Sequence, residues 1–122
     1  MNMPKSPPAL IDFFASVVPA APDVAQKKVF GYPAAFVNDN MFMGLHGDYM
    51  ILRLGADDRA ALLHHEGAHL FEPMEGRPMK EYVVVPAAIR QSEAELKPWI
   101  DRALTFGRSM QPKVKKPKTP KR

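Results

Sequence analysis

The chain has 122 residues and no cysteine, a length that suits one domain with its own core and a composition that excludes disulfides, thiolate metal sites and thiol redox chemistry. Its formal charge of +4 is unevenly placed: residues 108–122 carry seven Lys and Arg and no acid, leaving ten bases against thirteen acids in residues 1–107. The body is mildly acidic and the tail basic, so the overall isoelectric point describes neither surface.

Ser6 has the chemistry of an N-cap and Pro7 suits the first helical position, while Leu10, Phe13, Phe14 and Val17 recur at helical spacing before Pro19. Lys5 ahead of Ala9-Leu10-Ile11 superficially resembles a secretory signal, but Pro7-Pro8 and Asp12 interrupt the apolar region. No apolar run approaches membrane-spanning length, and a cytoplasmic protein without membrane contact is expected. Residues Pro19 to Pro22 read as a linker, with Gln26-Lys27-Lys28 preceding the first strand. Asn38-Asp39-Asn40 and His46-Gly47-Asp48 separate three apolar runs, Ala34–Val37, Met41–Leu45 and Tyr49–Leu54. Asn, Asp and Gly tolerate the positive φ of short hairpin turns, so the runs predict an antiparallel meander.

Asp57-Asp58 favour a helix start, Ala60 to Leu63 continue the helix, and Gly67 is its stop signal. Phe71 to Pro78, with two prolines and a glycine, is expected to be an irregular loop. Tyr82-Val83-Val84-Val85 predicts a strand covered on both faces, ended by Pro86. Ser92 and Glu95 form a capping box ahead of a stripe of Leu96, Trp99, Ile100, Ala103 and Leu104, in which Pro98 predicts a kink or a delayed start. Tyr82 and Trp99 read as core or edge aromatics, and Phe36, like Trp99, is a candidate for the helix-sheet core. Residues 1–107 thus read as one α+β domain, an antiparallel meander plus a further strand with helices packed on the sheet. Residues 108–122 read as a disordered Lys/Pro-rich tail with too little apolar surface to order itself.

Several positions in order carry a resemblance. Lys28, Phe30-Gly31, Phe36, Met41-Phe42, Leu52-Arg53-Leu54, Asp57-Asp58, Phe71, Met79, Tyr82, Pro86 and Leu96 with Trp99 resemble the N-terminal domain of the TfoX/Sxy competence-regulator family over roughly residues 10–107. Val29 stands where that family has Met before Phe-Gly, and Tyr32-Pro33 follows where a further glycine is usual. The resemblance implies a non-enzymatic regulatory or interaction domain that takes part in transcriptional control of the competence type beside a DNA-bound regulator. Full-length regulators of the family carry a second, C-terminal domain that this sequence does not show.

One motif suggests chemistry instead. His65-Glu66-Gly67-Ala68-His69 matches the zinc-peptidase pattern H-E-x-x-H, which works only on a continuous helix where both imidazoles share one face. Gly67 disfavours a helix interior by about 1 kcal/mol relative to alanine. The alternative is a polar helix end whose histidines are solvated or interact with its negative pole. Ser6, Ser16 and Ser92 fall in a cap, a helix and another cap rather than in a nucleophile elbow, and the glycines are too scattered to cradle a phosphate. Glu72, Glu75 and Glu81 read as solvated surface charge, and the methionines as core filling. The remaining candidates are Lys28, Arg53, Arg77 and Lys80 as a site for an anion or an acidic partner, if the segment 77–80 folds over Arg53. In the tail, Lys113, Lys115, Lys116, Lys118, Lys121 and Arg122 are the candidate nucleic-acid contacts. No helix-turn-helix signal is present and no cofactor is indicated. The expected function is a non-enzymatic interaction domain with weak nucleic-acid affinity from its tail; the rivals are a zinc hydrolase using His65 and His69, and a small anion-binding domain.

Overall fold

The computed structural model of the chain describes residues 5–74 and 76–110. Its elements are α1 (Pro8–Val17), β1 (Val24–Val29), β2 (Tyr32–Val37), β3 (Asn40–His46), β4 (Tyr49–Arg53), α2 (Ala56–Leu63), β5 (His69–Met74), β6 (Arg77–Val84), α3 (Ala87–Arg90) and α4 (Glu93–Ser109). The strands pair antiparallel in one sheet, in the order β1-β2-β3-β4-β6-β5. The α+β class, the meander and the interior position of the Tyr82–Val84 strand are as expected. Two-residue turns with positive φ join the first strands, Phe30-Gly31 at +52° and +85° and Asn38-Asp39 at +52° and +62°.

Four local expectations are corrected. Gln26-Lys27-Lys28 lies within β1 rather than before the first strand; as an edge strand with its four central residues exposed, β1 has no apolar alternation to announce it. Within Phe71 to Pro78, residues 71–74 and 77–78 are not loop but strand, the inner ends of β5 and β6, disguised by register shifts at Leu70/Phe71 and Phe71/Met74. Pro73 is tolerated because β5 is the sheet's other edge. Pro7, not Ser6, occupies the N-cap position of α1, and the Ser6 hydroxyl is buried without a hydrogen-bond partner among the described residues. Finally, α4 starts at Glu93 despite Pro98, because the Ser92 Oγ accepts from the Glu95 N–H and fixes the first turn. Burial of Leu96, Ile100, Ala103 and Leu104 offsets the backbone bond that Pro98 removes.

All four helices pack on one sheet face. Phe14 and Val17 of α1, Leu62 of α2, Ile89 of α3 and the α4 stripe meet Ala35, Val37, Phe42, Met43, Leu45, Met50, Leu52 and Val83. Gly107 lets α4 approach the sheet, since a Cβ there would stand 2.6 Å from Val37 Cγ1. Trp99 is only partly buried at the rim of this core, between the His65 ring and the Arg102 guanidinium. Phe36 is not a core residue either. A bulge pairs Ala35 with Met43 but Phe36 with Met41, so Phe42 and Met43 both turn to the helices while Phe36 faces away beneath Lys27 Nζ at 5.1 Å.

At the helix end, Arg108 holds Asp23 through two hydrogen bonds of 2.8 and 2.9 Å, and Asn38 Nδ2 donates to the carbonyls of Arg108 and Met110. Arg108 and Ser109 therefore belong to α4. The six tail cations from Lys113 to Arg122 lie outside the described residues. Among the described residues no helix is long and apolar enough to cross a membrane.

Candidate functional site

The sheet face away from the helices carries Ile51, Phe71, Tyr82 and Val84, with Met41 packed against them. Ile51 and Phe71 are only 2% and 5% exposed, although none of the described helices covers them. The sheet itself supplies the cover. Phe71 on β5 lies three strands from β3, about 14 Å in a flat sheet, yet its ring centroid is 5.0 Å from that of His46. The Tyr82 hydroxyl likewise reaches across β4 to donate to the Met41 carbonyl at 2.9 Å. The bulged β5–β6 hairpin thus curls over the face and leaves an apolar cleft of about 150 Å³, lined by Tyr32, Met41, His46, Phe71 and Met79 among others.

His46 is the polar group in this cleft, held between Tyr32 at 4.8 Å and Phe71. Burial disfavours its charged form and pushes its pKa below the ordinary imidazole value. The folded state therefore binds this proton less readily than the unfolded chain. Stability that His46 permits above about pH 6.5 is lost as pH falls toward its lowered folded value. His46→Phe should keep neutral-pH stability within about 1 kcal/mol and flatten the stability profile between pH 6.5 and 5 relative to the parent chain. Denaturant melts across that range check it, since the other titrating groups are common to both proteins; parallel profiles would remove His46 as the source.

The cleft ends at an exposed aromatic. Phe30 tops the β1–β2 turn in the left-handed region and is 86% exposed, so it gains nothing from burial and sits where glycine or asparagine is preferred. It also borders a second depression of about 600 Å³ on the far side of the turn, lined by Lys5, Ser6, Ile11 and Lys28 among others. Phe30, Tyr32 and Pro33 line both depressions and form the ridge between them. Sequence reading missed this ridge. The available signal was an aromatic immediately before glycine in a two-residue turn, where Asn or Asp is usual.

The four cations singled out from the sequence are spread over the sheet. Arg53 on β4 donates to Glu81 Oε1 from Nε at 2.8 Å and pairs with the same oxygen through Nη2 at 2.7 Å; its guanidinium also stacks over Tyr82 at 5.5 Å. Burial pushes the Tyr82 hydroxyl pKa up, which keeps it a donor. Lys80, exposed, and Arg77 are strand residues of β6 beside β4, so the segment 77–80 is not a loop folded over Arg53. Lys28 lies on β1 in register with Pro33, three strands from Arg53. The structure brings Arg53 together with Glu81, and Lys28 together with the Phe30 ridge.

The H-E-x-x-H letters do not form a helical zinc motif. The helix stops at Leu63, His65 lies in the following turn, Gly67 adopts φ +90°, and His69 already opens β5. The imidazoles diverge to opposite sides of the sheet: His65 meets the Trp99 ring of α4 at 5.7 Å, and His69 meets Tyr49 at 5.9 Å. Among the described residues no three His, Asp or Glu side chains gather as a metal ion requires.

A family model described as the TfoX N-terminal domain matches residues 16–107, from the last turn of α1 to Gly107 of α4. No curated protein and no solved structure matches the chain.

Proposed function

The chain belongs to the TfoX N-terminal domain family, and from that premise we infer that it is a non-enzymatic regulatory domain that works by binding a protein partner. A role in transcriptional control of the competence type, beside a DNA-bound regulator, follows from the resemblance of its residues to that family. The observation that carries the interaction reading is Phe30, an exposed aromatic held at positive φ beside a helix-free apolar cleft. A residue that weakens its own turn and buries nothing is suited to a surface completed by something else. The tail's six Lys and Arg would add a sequence-independent attraction for nucleic acid, drawing the domain toward a partner already on DNA.

A photo-crosslinking aromatic at position 30 of the full chain, irradiated in extract of its native cells, should give one dominant protein adduct. The same group at exposed Lys97 of α4 should not. Equal labelling from the two positions would overturn the interaction reading.

A further inference from the structure

We propose that the Phe30 ridge docks a peptide segment of a partner protein that presents one aromatic side chain flanked by Asp or Glu. The proposal rests on the interaction reading above and supplies the chemistry of the partner. The cleft beside Phe30, at about 150 Å³, matches a cavity size that accepts a benzene ring, so it holds a single aromatic side chain against Tyr32, Met41 and Phe71. Phe30 itself closes over that ring from the side.

The charge comes from the other side of the ridge. Lys5 and Lys28 line the larger depression, and among the described residues no acid lines either one. This is a local reversal, because residues 1–107 carry ten bases against thirteen acids. Within residues 1–107, an acidic segment is steered to this end and repelled by much of the remaining surface.

Two other modes of docking are disfavoured by the same observations. Strand addition is blunted at both sheet edges, by exposed Lys27 and Lys28 on β1 and by Pro73 with its bulges on β5. A second copy placed face to face would set Lys5 and Lys28 against themselves. The occupant is therefore a side chain entering the cleft from an acidic partner segment.

The test is selection of a displayed random 12-residue peptide library on the full chain, followed by fluorescence anisotropy with the most enriched peptide. The enriched peptides should carry an aromatic residue beside at least two acids. Phe30→Asn, which suits the left-handed turn position, should keep or raise the melting temperature and weaken binding by about tenfold or more, as expected of a buried anchor. Lys28→Glu should weaken it by about threefold to tenfold, and binding by the parent chain should fall as salt rises.

Enrichment of neutral or basic peptides, or unchanged affinity in Phe30→Asn, would overturn the proposal. Sedimentation showing concentration-dependent self-association that Phe30→Asn abolishes would assign the ridge to a second copy and also overturn it. If acidic aromatic peptides fail while the crosslink at position 30 persists, the partner chemistry is wrong and the interaction reading stands; loss of both removes both.

Discussion

Phe42→Ala is expected to lower the unfolding free energy by about 3–5 kcal/mol. Phe42 is fully buried in the core between the sheet and the helices, with the Gly107 backbone of α4 drawn in against Val37 and Phe42. Truncation would empty that site while the close α4 contact keeps the neighbours from collapsing into it. Phe36→Ala, six residues earlier, should cost only about 1 kcal/mol, since that ring is half-exposed and its contact is the Lys27 ammonium. Chemical denaturation of both variants distinguishes them. Equal losses would mean that the bulge at Ala35/Phe36 does not direct Phe42 inward.

Deleting residues 111–122 should leave stability within about 0.5 kcal/mol, yet abolish most non-specific DNA binding. The deletion spares Arg108, whose pairing with Asp23 anchors the end of α4. It removes six of the seventeen Lys and Arg, and leaves eleven bases against thirteen acids. A body with that balance has little attraction for phosphate. If about five of the six cations contact phosphates, log K for the full chain should fall against log salt with a slope near −4.5. Binding of full and shortened chains to a fixed duplex at several salt concentrations measures both quantities. Equal, salt-insensitive binding by the two would locate nucleic-acid recognition in the body; absence of binding by either would leave the tail without that role.

The sequence by itself determined the parts whose signals are local. Asn38-Asp39 and Gly47 marked their turns because few residues adopt positive φ. The Ser92 cap and the Leu96–Leu104 stripe marked α4 because a helix face repeats at a fixed spacing. The ordered positions from Lys28 to Trp99 resembled the family whose model matches residues 16–107, and the divergence of His65 from His69 was legible in Gly67. The rest depended on long-range pairing. β1 has no apolar pattern because it is an edge, β5 is broken by bulges, and the residue that faces the core at Phe36/Phe42 is chosen by one extra residue in β3. Arg53 met Glu81 only through the pairing of β4 with β6. The Phe30 ridge and its cleft join all six described strands, brought together by a curl that no short window of sequence encodes. Tertiary structure decided the site because the cleft is a property of the sheet's curvature, and curvature is set by bulges and packing acting across strands.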